Sequence, residues 1–172
     1  MSARGFEISP KLGACGWLVC GLVGCHVPGL VPDTRTPTDH ALEIEPRCQG
    51  FTEERVAPLL SVNAIDSVEP AYSYVQSGAE RQARLRGARI KVKPLTGLSR
   101  EALARIIECH EARVMLGRAA AGADDPYVLA DDWLDIDVDS EGDGFVVLVR
   151  ADGMYAARRV LERARRFYKH HE

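Results

Sequence analysis

Residues 134–150, LDIDVDSEGDGFVVLVR, alternate for six positions, turn, and then run apolar from Phe145 to Val149. Leu134, Ile136 and Val138 fall on one side and Asp135, Asp137 and Asp139 on the other, the period of a half-buried strand. Ser140 to Gly144 supply turn chemistry. Phe145–Arg150 has apolar residues on both faces, which predicts a central strand.

Working outward, Ala88–Lys93 (ARIKVK) alternates in the same way. Ala88, Ile90 and Val92 point inward, and Arg89, Lys91 and Lys93 point outward. Between the two alternating segments lies a helical pattern from Ser99 to about Leu116. Ser99 is placed to cap it, Glu101 and Arg105 are four apart, and Leu103, Ile106, Ile107 and Val114 form its stripe. Beyond Arg150, Asp152 is placed to cap a last helix with Ala157, Val160, Leu161 and Ala164 buried and six basic residues from Arg158 to Lys169. Upstream, Phe51–Ile65 reads as a helix capped by Thr52 and weakened by Pro58, and Ala71–Gln76 as a short strand.

The fold expected is α+β, a small sheet in β-α-β-β-α order. This split βαβ layout corresponds to half of a ferredoxin-like arrangement, with the last strand between the other two and the helices on one face. The rows Arg89/Lys91/Lys93 and Asp135/Asp137/Asp139 would then share the opposite face and form a dipolar interaction surface around an apolar strand.

The 172 residues allow one domain plus tails. The net charge of −3 gives no reason to expect nucleic acid. That average hides a split: six basic residues and no acid from Arg81 to Lys93, and nine acids and no base from Asp124 to Asp143. Such blocks serve a partner or face each other within the fold.

The N-terminus is different in kind. Arg4 and Lys11 precede an uncharged run from Leu12 to Cys25, shorter than the ~20 residues a spanning helix needs. The layout is that of a secretory signal peptide. Its end, Leu22-Val23-Gly24-Cys25, resembles the lipobox of bacterial lipoprotein precursors, a likeness confined to residues 1–25. The resemblance implies cleavage before Cys25, acylation of that cysteine by palmitate-type chains, and anchoring to a membrane through them. It also implies, with His26 in second place, an outer-membrane location facing the periplasm. Two or more acyl chains anchor stably where one is marginal. A haem reading of Cys20, Cys25 and His26 would require Cys20, which cleavage discards.

The expected organisation is thus a signal peptide over 1–24, a lipidated cysteine with a Pro-rich tether over 25–47, and one α+β periplasmic domain over 48–172. His40 reads as a solvated tether residue. After processing, Cys48 and Cys109 remain, and an even pair in an oxidising compartment predicts a disulfide. The alternative is a pair of free thiols, with Cys109 and His110 joining the acidic segment 124–143 in metal handling. His110 lies on the buried stripe of its helix, where a hydrogen-bonded core residue is the expectation.

Residues 135–148 fail as a calcium loop, because either register places Leu148 or Val146 where a bidentate glutamate is required. No nucleophile-elbow, zinc-protease, serine–lysine or phosphate-loop signature occurs. The sequence therefore predicts a non-enzymatic, cofactor-free envelope lipoprotein, a binding or scaffolding module whose partner is another cell-envelope protein.

Overall fold

The computed structural model describes residues 35–77 and 79–169. The expected signal peptide, the lipobox-like residues ending at Cys25, the first part of the expected tether, and His170 and His171 lie outside the described residues. Helix α1 (Pro37–Ile44) leads through a 3-10 turn, Glu45–Cys48, to two further turns at Glu53–Arg55 and Val62–Ala64. Strands β1 (Ile65–Ser77) and β2 (Glu80–Val92) follow, then helix α2 (Arg100–Met115), β3 (Asp135–Glu141), β4 (Gly144–Arg150) and helix α3 (Met154–Lys169).

The strands form one sheet in the order β1-β2-β4-β3, every neighbouring pair antiparallel. Strands β2 and β3 are therefore parallel, joined across α2, and β4 lies between them as expected for the split layout. Ala88, Ile90, Val92, Val138, Val147 and Val149 form the inner face. They pack against Leu103, Ile106 and Ile107 of α2 and Val160, Leu161 and Ala164 of α3, so both helices cover one face. All but one of these side chains are less than 6 % exposed, and Leu161 is 7 % exposed.

Four local expectations change. The tether does not run to Arg47, because Thr36 opens helix α1 with a capping box: its hydroxyl accepts from the Asp39 N–H, and the Asp39 carboxylate accepts from the Thr36 N–H at 2.8 Å. Pro37 occupies the first turn, where its missing donor costs nothing. His40 is not simply solvated; its ring stacks on Trp133 with centroids 5.4 Å apart. Phe51–Ile65 is not a helix but two 3-10 turns with irregular turns between them, from which Val56 and Leu59 nevertheless reach the core. Asp152 stands two residues before α3, Gly153 immediately precedes the helix and its carbonyl accepts from the Ala157 N–H, and the Asp152 carboxylate accepts from Arg86 at 2.9 Å.

The hairpin of β1 and β2 is also much longer than the six residues expected for each strand. Only Gly87–Val92 of β2 pairs with β4; from Tyr72↔Leu85 to Ser77↔Glu80 the two strands pair with each other alone. At about 3.4 Å per residue this two-stranded ribbon extends ~20 Å. A bulge at Arg86 marks its root. There Gly87 adopts φ 148°, and a Cβ at that position would stand 2.0 Å from the Val149 carbonyl oxygen.

Candidate functional site: the charged open face of the sheet

The face away from the helices carries both predicted charge rows. Arg89 stands beside Leu148, and Lys91 beside Val146; on the far side of β4, Asp137 opposes Leu148 and Asp139 opposes Val146. The rows flank an apolar strip as expected and do not pair across it directly. Val146 is only 4 % exposed on this open face. Long stems such as those of Arg89 and Lys91 shield apolar surface while their heads stay wet.

The structure adds a residue that sequence reasoning did not single out. Arg150, at the end of β4, opposes Asp135 and reaches its carboxylate at 3.0 Å and that of Asp137 at 3.8 Å. A signal for it existed: Gly142 and Asp143 form a two-residue hairpin loop with Glu141 opposite Gly144, and counting outward brings Asp135 to Arg150. The other charges are likewise engaged. Asp139 meets Arg100 at 3.7 Å, Lys91 meets Asp66 and Glu141 at 3.8 Å, and Arg89 bonds Glu141 and lies 3.5 Å from Glu69. Lys93 falls just past β2, exposed, and makes no ion pair among the described residues. The face is thus a lattice of mutually compensated charges rather than two bare stripes.

One donor in that lattice is left over. The Nε of Arg150 is buried and makes no hydrogen bond among the described residues. Arg150 also lines a groove of about 480 Å³ at the root of the ribbon, walled by Pro70, Arg86, Arg89, Asp135 and Leu148. A buried donor attached to a charged group is costly to leave unmade, so Arg150 is incompletely satisfied where it borders this groove. The ribbon beyond it exposes Tyr72 (54 %), Tyr74 (59 %) and Val75 (50 %).

Two further acidic residues are tied to α3. Asp131 accepts from Arg159 at 2.6 Å, and Asp124 accepts from Arg166 at 2.7 Å. The Val128 carbonyl accepts from Arg163 at 2.7 Å. Three of the basic residues of α3 therefore hold the acidic loop, and the Arg159 guanidinium keeps the Asp131 carboxyl below its ordinary range.

Cys48 and Cys109 form a disulfide with Cα atoms 5.6 Å apart, joining the turn after α1 to α2. Cys109 is consequently no thiol ligand, and the metal-handling alternative loses its central residue. His110 is 1 % exposed and fully engaged: Nε2 lies 2.8 Å from the Asp125 carboxylate and Nδ1 3.2 Å from that of Glu53. Burial pushes this imidazole down, but the hydrogen bonds and charges of Asp125 and Glu53 together outweigh it, and the net shift is upward. Beside it, Glu111 is fully buried, accepts from the Leu134 N–H at 2.8 Å, and is pushed well above the carboxylate range by burial. Among the described residues no group of three or more ligand-type side chains is arranged to hold a metal ion.

No protein-family model, curated protein or solved structure matches the chain. The geometry above is what any functional reading has to rest on.

Proposed function

We propose that the chain is a lipid-anchored envelope protein whose folded domain is a binding or scaffolding module, with the open sheet face as its docking surface. The anchor rests on the lipobox-like residues ending at Cys25 and on the Cys48–Cys109 disulfide, which belongs with an oxidising compartment. The docking role rests on one observation above all, a groove beside Asp135 lined by Arg150, a residue whose Nε makes no hydrogen bond among the described residues. The occupant is a segment of another envelope protein that places a carbonyl or carboxylate oxygen there. Its own charges would match the alternating signs of Arg89, Lys91, Asp135, Asp137 and Asp139, which favours register and partner choice more than raw affinity.

A photo-crosslinking residue at Leu148, introduced into the full chain in cells, tests this. A discrete adduct is expected from that position and none from Glu162 on α3. Arg150→Met, or lysine at all three of Asp135, Asp137 and Asp139, should abolish it. An adduct indifferent to both changes would sink the docking face. For the anchor, mass spectrometry of the membrane fraction should find an acylated Cys25, and Cys25→Ser should release or strand the protein.

A further inference from the structure

A second cleft, of about 530 Å³, lies beside the disulfide and shares no residue with the sheet face. Its apolar lining includes Phe51, Leu98 and Ile106, with Cys48 and Cys109 in one wall. Three arginines, Arg47, Arg55 and Arg105, also line it, each from a different part of the chain and each exposed. The volume is within the ~300–1,000 Å³ range of small-molecule sites, and an apolar body with few convergent charged groups is their usual make-up.

The charge balance at the cleft is uneven. Arg47 lies 3.9 Å from Glu43, which is i,i+4 from it. Glu108 is the nearby counter-charge, where burial pushes its carboxyl up while Arg47 and Arg105 pull it down. The guanidinium of Arg55 makes no hydrogen bond or ion pair among the described residues. Guanidinium groups recognise carboxylates through paired, charge-assisted hydrogen bonds. Phe51 is already tied to the arginine chemistry of this end of the molecule, with Arg113 over its ring at 5.4 Å.

We propose that this cleft binds a small anionic amphiphile, an organic carboxylate whose head is held by Arg55 and Arg105 and whose apolar body lies on Phe51, Leu98 and Ile106. Arg105 and Ile106 are consecutive on α2, and the disulfide ties the turn that carries Cys48 to the same helix.

The test uses the full-length chain carrying Cys25→Ser, so that no attached acyl chain competes, and titrates it calorimetrically with decanoate, with decanol and with acetate. Decanoate should bind saturably at one site and shift the amide resonances of Gly97, Leu98 and Ile106. Decanol and acetate should each bind about tenfold more weakly or worse, having lost the head or the tail. The pair Arg55→Gln and Arg105→Gln should weaken decanoate by a similar factor, while Arg89→Gln on the sheet face leaves it unchanged. Equal affinity for decanol and decanoate would mean mere apolar partitioning and would overturn the proposal. So would the absence of saturation, or an affinity untouched by the arginine pair. The decanol comparison needs no substitution in the cleft, so it decides the matter even if the arginine variant folds poorly.

Discussion

Among single residues, His110 bears the heaviest structural duty, because it ties α2 to Glu53 on one side and Asp125 on the other. Its folded-state pKa is raised above the unfolded value of 6.5. The stability it contributes is therefore complete below about pH 6.5 and is lost as pH rises through the folded value. Glu111 acts in the same direction. Its carboxyl is held neutral above the unfolded value of 4.5, so stability falls as pH climbs from there toward its folded value. Thermal unfolding should accordingly give a higher Tm at pH 6 than at pH 8. Glu111→Gln should flatten that slope, since the amide oxygen can still accept from the Leu134 N–H. His110→Asn should cost about 3 kcal/mol in chemical denaturation, because it strands a buried Asp125 carboxylate. A Tm rising from pH 6 to pH 8 would contradict both assignments. Sequence alone placed His110 on the buried stripe, but its partners come from 57 and 15 residues away, and no local pattern announces them.

Among elements, the long hairpin is governed by its root. Gly87 sits where the ribbon leaves the four-stranded body, in a backbone region that side chains rarely adopt and against the Val149 carbonyl. Gly87→Ala should destabilise the fold by roughly 2 kcal/mol or more, read as a lower denaturation midpoint, with the far end of the ribbon unaffected in its own pairing. Amide exchange should also run faster from Ser73 to Arg84 than from Ala88 to Val92, since the former are paired on one side only. Equal protection along the hairpin would show that the ribbon is covered. Strand β3 and helices α2 and α3 were legible because each buries a regular face, and β4 because its unbroken apolar run marks a strand covered on both sides. The stretch Glu80–Arg84 was not, because a ribbon without a core beneath it has no apolar alternation to read. The start of the fold was missed for another reason. Prolines at 37 and 46 suggest an extended tether, whereas Pro37 is the helix's first residue and Thr36 with Asp39 caps it. Pro58 has the opposite effect, and the apolar residues around it serve turns instead of a helix.

At the scale of the whole molecule, the charge blocks that look like two partner surfaces in the sequence are mostly spent on holding the fold. Most of the acidic segment is shared among α3, His110, Arg89, Lys91, Arg100 and Arg150. That outcome depends on strand order, which periodicity does not reveal. The disulfide acts at this same scale. Closing a separation of 61 residues should stabilise the folded state by about 4 kcal/mol in the chain-entropy account, so a reductant should lower the Tm substantially and Cys109→Ala should reproduce the change. Unchanged melting under reducing conditions would remove the staple from the stability of the domain.

The same bond has a topological consequence. The ribbon lies wholly inside the ring closed by Cys48 and Cys109. A protease that nicks the chain near the ribbon's tip, between Ser77 and Arg81, would produce two polypeptides still joined as one covalent species. Such clipped molecules should migrate as a single band on a non-reducing gel and fall apart only when a thiol is added. Damage to the ribbon would then leave the core assembled.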